Sequence, residues 1–213
     1  MPEDETVTAL RTPEAIQAFL DATPYSSEGR YRAPRTVLHD RRAHCMDGAL
    51  FAAWALRRLG EPPLLVDLRA VRDDDHVLAI FKRRGRLGAI AKSNVVGLRF
   101  REPVYRTLRE LAMSYFELYY NTDGEKTLRS CSVPLDLRRF DALDWPSRDD
   151  AVETIVTRLD ASRHHALLTP AMIRALSPVD ERSYQAGLLG ADPAGLYAGD
   201  RLRPPAPRAL KDA

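Results

Sequence analysis

Cys45 is the residue of this chain best placed to act as a nucleophile. It begins the segment CMDGALFAAWALRRLG, whose apolar residues recur at three- and four-residue spacings and predict a largely buried helix that ends at Gly60. It follows the basic stretch HDRRAH, which contains Arg41, Arg42 and His44. The helix N-terminus and nearby cations both favour thiolate, so we expect a lowered thiol pKa. A small buried residue on the helix face is the simpler interpretation of a free cysteine.

Two polar residues further along the chain can complete a catalytic group with Cys45. His76 begins the predicted strand HVLAIFK, and a histidine that takes the thiol proton is the partner that a cysteine nucleophile requires. Asn94 ends the next predicted strand, LGAIAKSN, where its side-chain oxygen can accept from the imidazole and fix the ring. Ser93 is the alternative for this third position. We expect Cys45, His76 and Asn94 to converge in one cleft.

The segments that position these residues predict an α+β fold. TPEAIQAFLDAT predicts a short helix with Thr12 as N-cap, and PYSSEGRYRAPR after it predicts a loop. LLVDLRAV, HVLAIFK and LGAIAKSN predict antiparallel strands, the last two joined as a hairpin across Arg83, Arg84 and Gly85. VYRTLRELAMSYFELYYN then predicts a helix, and KTLRSCSVPLDL one more strand.

This order of elements resembles the core of the transglutaminase-like superfamily, which shares the papain-like thiol fold. In that core a cysteine at a helix N-terminus is followed by a histidine on one strand and an orienting residue on the next. The step from Cys45 to Asp47 also resembles the Cys-x-Asp pattern of the superfamily, and this match covers residues 42–94. The runs DDDHVLAIF, GAIAKSN and LRFREPVYRTLRELAMSYF are similar to a bacterial family that carries the core, and extend the resemblance to about Asn121.

The resemblance implies a buried Cys-bearing helix packed on an antiparallel sheet, with an N-terminal helical part and a C-terminal helical appendage. It also implies a thiol-dependent hydrolase or acyl transferase that acts on an amide or peptide bond. Most members have Asp at the third catalytic position, where this chain has Asn94. The alternative is therefore a catalytically inactive relative that binds a peptide or a protein.

The expected substrate is a peptide or a small amide, with a protein as a further partner. No cofactor or metal is expected: His44 beside Cys45 invites a zinc site with His76, Asp75 or Asp47, but no C-x-x-C or H-E-x-x-H spacing supports it. Lys and Arg number 32 against 30 Asp and Glu, so no strong field would draw nucleic acid or an anionic membrane. No stretch has the length of an apolar membrane span and no leader is evident, which predicts a cytoplasmic protein.

The predicted organisation is an α+β domain over residues 1–145, a helical appendage over 146–200 and a flexible tail over 201–213. Outside the proposed triad, structural or surface roles are the favoured interpretations of the polar residues. The acidic run from Asp73 to Asp75 is most simply a solvated turn, with raised basicity of His76 or selection of a cationic substrate as the alternatives. Cys131 is expected to be structural, and the pair His164 and His165 to lie on the surface.

Overall fold

The structure is a computed structural model that describes residues 3–197, with side chains from residue 5. Within this range it contains eight α-helices and seven β-strands, which confirms the predicted α+β class. The helices are α1 (Glu3–Ala9), α2 (Pro13–Asp21), α3 (Pro34–Asp40), α4 (Cys45–Arg58), α5 (Leu108–Met113), α6 (Asp149–Asp160), α7 (Pro170–Arg174) and α8 (Glu181–Gly187). The strands are β1 (Leu64–Ala70), β2 (His76–Arg83), β3 (Arg86–Ile90), β4 (Arg101–Tyr105), β5 (Leu128–Ser132), β6 (Leu135–Asp136) and β7 (His164–Ala166).

The strands form one antiparallel sheet in the order β4-β3-β2-β1-β5-β7, with β6 paired to β1. The predicted hairpin between β2 and β3 is present. Its two turn residues, Arg84 and Gly85, have φ values of 49° and 75°. Positive φ at both central residues is typical of the tight turns that match the twist of a hairpin.

Helix α4 covers one face of the sheet, as the Cys-bearing helix of the predicted transglutaminase-like arrangement should. Alternate residues of β2 point to opposite faces, so Val77 and Phe81 pack in the core beneath α4 while Leu78 packs in a second core on the other face. Most of α4 is buried, including Phe51, whose burial stabilises the fold by about 1.5–3 kcal/mol.

Helices α3 and α5 and strand β4 differ from the prediction because their sequence signals are short. Helix α3 begins at Pro34, within a segment predicted as loop, and buries only three side chains. Strand β4 contains Pro103 at the edge of the sheet, where a missing N–H is tolerated. The helix predicted over residues 104–121 is therefore shorter: it starts after its N-cap Thr107, ends at Met113 and is followed by a 3₁₀ turn, Phe116–Leu118.

Strand β3 ends at Ile90, so the predicted strand over residues 87–94 is too long. The side-chain amide of Gln17 replaces a strand partner at this point, donating to the oxygen of Ala91 over 3.0 Å and accepting from its N–H over 3.1 Å. The Lys92 ammonium then turns inward to donate to the carbonyl oxygens of Leu20 and Thr23. Asn94 consequently lies in the loop beyond the strand.

The region after residue 146 contributes to both the core and the sheet. Helix α6 buries Val152 and Ile155 in the core beneath α4, and β7 pairs with β5 at the edge of the sheet. The short helices α7 and α8 follow β7 in the same region. The predicted tail over residues 201–213 lies outside the described residues.

Candidate active site

A network of buried polar groups fixes the start of α4 and therefore the position of Cys45. His44 is the N-cap, and its Nδ1 accepts from the N–H groups of Met46 and Asp47. The buried Asp47 carboxylate accepts in return from the N–H of His44 over 3.2 Å and from the N–H of Arg32 over 2.8 Å. These bonds satisfy N–H groups that a helix start otherwise leaves without partners.

The sulfur of Cys45 lies against the main chain on both sides of His76. Sγ is 3.8 Å from the carbonyl oxygen of Asp75, to which the thiol can donate, and the backbone N–H of Val77 is near enough to favour the thiolate. Burial is the largest influence and raises the thiol pKa to about 12, with the charge of Asp74 acting in the same direction. The N–H of Val77 lowers the pKa but does not overcome burial.

The expectation of a lowered thiol pKa is therefore wrong for this structure. The two arginines that precede Cys45 are engaged elsewhere: the Arg41 guanidinium lies 4.9 Å from the ring centre of Phe19, and Arg42 lies 3.8 Å from Glu28. Both arginines are exposed, where water screens their charge. Cys45 is protonated at neutral pH.

His76 is buried with its ring edge-on to Tyr115 and Tyr119. Its Nε2 lies 2.7 Å from the carbonyl oxygen of Leu98. A carbonyl only accepts, so we assign the proton to Nε2, which leaves the lone pair on Nδ1. Burial lowers the pKa of His76 to about 4, and Arg101 contributes in the same direction. The imidazole is therefore neutral above that pH and has a basic nitrogen at Nδ1.

Cys45 and His76 reach one cavity from opposite sides of the sheet. Cys45 comes from the helix on one face, whereas His76 contacts the aromatic residues of the other face, and both line a cavity of about 80 Å³ where β2 begins. Among residues 3–197, no hydrogen bond joins the thiol to the imidazole. The thiol and the imidazole therefore line the same cavity without contacting each other through a hydrogen bond.

Asn94 lines the same cavity, but its amide binds a different partner from the one predicted. Its Nδ2 donates to the carbonyl oxygen of Asp192 over 2.8 Å, and its Oδ1 accepts from the N–H of Asp192 over 2.9 Å. The alternative residue Ser93 accepts from the N–H of Val95. The position next to His76 Nε2, which the sequence assigned to Asn94, is occupied by the Leu98 carbonyl.

A larger cavity of about 490 Å³ also adjoins Cys45. Its described lining contains five carboxylate residues and no lysine or arginine; the carboxylates are Glu28, Asp67, Asp74, Asp75 and Asp160. The acidic run is not simply a solvated turn, because Asp73 accepts from Thr127 and Asp75 accepts from the N–H of Ala70. Burial raises the pKa of Asp73 to about 6.

The sequence did not predict that Asp67, a buried carboxylate lining this larger cavity, pairs with the half-buried imidazole of His164. His164 Nε2 lies 3.0 Å from Oδ2 of Asp67, and His164 Nδ1 lies 2.8 Å from the carbonyl oxygen of Ser162. Burial raises the pKa of Asp67 to about 6. The predicted surface pair is thus half correct: His165 is exposed, and His164 is half-buried in the pair with Asp67. No local pattern links residues so far apart in the chain.

Cys131 is buried in the sheet, as expected of a structural residue. No cluster of three metal-ligating side chains occurs within residues 3–197, and no helix there has the length and apolarity that a membrane span requires.

No protein-family model and no curated protein matches the chain. Among solved structures, LapG from Legionella pneumophila matches with a TM-score of 0.35 at 15% identity, over 42% of this chain and 60% of LapG. An EGTA-treated LapG structure gives a TM-score of 0.34 at 16% identity, over 43% of this chain and 58% of LapG. The chain thus spans less than two thirds of LapG. At these TM-scores the similarity supports no conclusion about the site.

Proposed function

We propose that this protein is a thiol-dependent hydrolase or acyl transferase that attacks an amide or peptide carbonyl with Cys45 and uses His76 as the general base. One observation carries the proposal. The sulfur lies against the main chain that flanks His76, while the bond to Leu98 holds the imidazole in the tautomer whose Nδ1 can take a proton. A nucleophilic thiol requires a base in this protonation state.

The reaction begins from a neutral thiol and a neutral imidazole. As Sγ bonds to the substrate carbonyl carbon, the thiol proton moves to Nδ1 of His76, and the leaving amine then takes that proton as the C–N bond breaks. Water or a second amine then attacks the thioester carbonyl carbon and gives its proton to Nδ1. The C–S bond breaks and the sulfur takes that proton from the imidazolium, which restores the thiol. Water gives hydrolysis, and an amine gives acyl transfer.

Two features of the fold support this chemistry. The carbonyl of Leu98 stabilises the imidazolium that forms during attack, the role the sequence had assigned to Asn94. As the first residue of α4, Cys45 has an N–H without an intrahelical acceptor, which can donate to the oxyanion. The thiol and imidazole must approach each other when substrate binds, and such bonds commonly tighten only in the substrate complex.

The test is formation of an acyl-enzyme with an activated ester. The full chain is incubated with p-nitrophenyl acetate, and the acetyl group is located by peptide mass spectrometry. Acetylation of Cys45 at least tenfold faster than of Cys131 is expected, with turnover in water or transfer to added glycylglycine. Cys45→Ala should abolish the burst of p-nitrophenol, and Cys131→Ser should leave it unchanged. Equal acetylation of the two cysteines would refute the proposal.

A second candidate is a peptide-binding module without chemistry. It is favoured by the absence of a hydrogen bond between Cys45 and His76 in the described structure and by pKa shifts that keep both groups neutral. This candidate predicts that Cys45 is inert towards the ester while the cleft still binds peptide. The cytoplasmic location and the absence of nucleic-acid and membrane partners remain predictions from composition.

A further inference from the structure

A segment of the chain itself, Asp192–Tyr197, lies across the mouth of the candidate cleft. Gly195, Leu196 and Tyr197 line both cavities that Cys45 adjoins. The segment forms a short 3₁₀ turn, Pro193–Gly195, capped by the Asp192 side chain, and is exposed or half-buried throughout. The segment therefore shares both cavities with the thiol.

Asn94 holds the start of this segment by its main chain alone. The amide donates to the oxygen of Asp192 over 2.8 Å and accepts from its N–H over 2.9 Å. Two neighbouring β-strands bind each other through the same reciprocal pair of bonds. An amide side chain that binds both groups of one residue recognises a peptide backbone without regard to the side chain it carries.

The ring of Tyr25 lies close to Gly195, three residues after Asp192. A Cβ at Gly195 would lie 2.7 and 2.8 Å from two ring carbons of Tyr25 and 3.0 Å from Nδ2 of Asn94. The backbone beside Tyr25 is fixed, since the N–H of Ser26 donates to Ala43 over 3.1 Å and the N–H of Ala43 donates to Pro24 over 3.3 Å. A side chain at residue 195 therefore requires the half-buried Tyr25 ring to rotate away from a fixed backbone. At the far end, Thr122 donates to the oxygen of Tyr197 over 3.4 Å.

We propose that Asn94 and Tyr25 form a substrate subsite for a peptide that has glycine three residues after the residue bound by Asn94, and that Asp192–Tyr197 is its resident occupant. The subsite deepens the proposed function, because it names the substrate of the same cleft as a glycine-containing peptide. Binding does not depend on thiol chemistry, so the two proposals can fail separately.

The test is binding of a free peptide when the resident segment is displaced. A fluorescein-labelled peptide of sequence DPAGLY with a blocked C-terminus is titrated into the full chain, and fluorescence anisotropy is measured. Wild-type protein should bind it weakly because the site is filled. Gly195→Val, whose added side chain collides with Tyr25, should bind it at least tenfold more tightly. Gly29→Val is the matched control, since a side chain there meets open space, and should behave like wild type.

Two further variants identify the subsite. Asn94→Ala combined with Gly195→Val should lose the tenfold gain, and the peptide DPAVLY should bind Gly195→Val at least tenfold more weakly than DPAGLY. If Gly195→Val does not fold, Asp192→Pro replaces it. The φ of −75° at Asp192 suits proline, which removes both the N–H that donates to Asn94 and the side chain that caps the 3₁₀ turn.

The whole series is repeated with Cys45→Ser, so that an inert thiol leaves the binding result intact. Equal binding of the two peptides would overturn glycine selection. Equal binding of DPAGLY to wild type and Gly195→Val would overturn the resident occupant.

Discussion

His76 donates from Nε2 to the main-chain oxygen of Leu98 over 2.7 Å, so a backbone carbonyl occupies the place that an asparagine or aspartate side chain has in many thiol sites. The carbonyl belongs to a 3₁₀ turn, Val96–Leu98, in the loop between β3 and β4. Arg101 stabilises this 3₁₀ turn by donating to the oxygen of Gly97 over 2.8 Å. The orientation of the imidazole therefore depends on the shape of one short turn.

Gly97→Ala should disturb that turn and slow the reaction. A Cβ at residue 97 would lie 2.4 Å from the Cβ of Leu118, so the backbone must shift and carry the Leu98 carbonyl with it. We expect acetylation of Cys45 to slow at least tenfold and stability to fall by about 1–3 kcal/mol. The matched control is Val96→Ala, an exposed residue of the same turn, which should change neither. Unchanged acetylation by Gly97→Ala would argue against a role for the Leu98 carbonyl.

Asp47→Ala should destabilise the protein. The carboxylate accepts from two backbone N–H groups and lies 3.7 Å from the buried guanidinium of Arg32, so truncation leaves buried groups without partners. We expect a loss of about 3 kcal/mol, seen as a lower urea midpoint at constant m-value. Asp47→Asn keeps an acceptor and should lose less. If Asp47→Asn lowers stability as much as Asp47→Ala does, then the charge of Asp47, and not its hydrogen bonds, stabilises the protein.

Gly48→Ala tests how closely α4 approaches the loop after β3. In a helix interior this change ordinarily stabilises by about 1 kcal/mol. Here the added Cβ would lie 2.2 Å from the Cβ of Lys92, whose ammonium is anchored to two carbonyls. The clash should prevail and destabilise the protein by about 1–3 kcal/mol in urea unfolding. Gly29→Ala, in open space, should be nearly neutral. A stabilised Gly48→Ala protein would contradict this packing.

Asp67→Asn should change how stability depends on pH. Burial raises the pKa of Asp67 to about 6, so the folded protein holds the proton more tightly than the unfolded chain does. This tighter proton binding stabilises the folded protein fully below pH 4, and the stabilisation is lost as pH rises through 6. Because asparagine does not titrate, the variant should gain stability relative to wild type as pH rises from 4 to 8 in urea titrations, by on the order of 1–3 kcal/mol. The exposed control His165→Gln should show no such change. A pH-independent difference would contradict the raised pKa.

The helix of Cys45 and the central strands could be predicted because their signals are local. Apolar spacing marks α4, Thr12 caps α2 through its side chain, and the turn at Arg84 and Gly85 defines the hairpin. Strand β4 and helix α3 were missed because an edge proline and a two-turn helix resemble loop sequence.

The partners within the site could not be predicted because they are distant in the chain or belong to the backbone. Asn94 binds Asp192 and Asp67 binds His164, pairs separated by 98 and 97 residues. The acceptor for His76 is a carbonyl, which every residue carries, so the identity of Leu98 gave no signal. The thiol pKa was predicted in the wrong direction because burial depends on packing, whereas the sequence showed only neighbouring charges.

The most direct test of the pairing between Cys45 and His76 is the pH dependence of Cys45 acetylation by p-nitrophenyl acetate in wild type and His76→Ala. A neutral thiol with a neutral base predicts a nearly constant wild-type rate from about pH 5 to 9, falling near pH 4 as His76 is protonated. His76→Ala should react about 10²–10⁴-fold more slowly at pH 7, with a rate that rises tenfold per pH unit as free thiolate forms. Parallel, rising profiles for the two proteins would contradict His76 as the base.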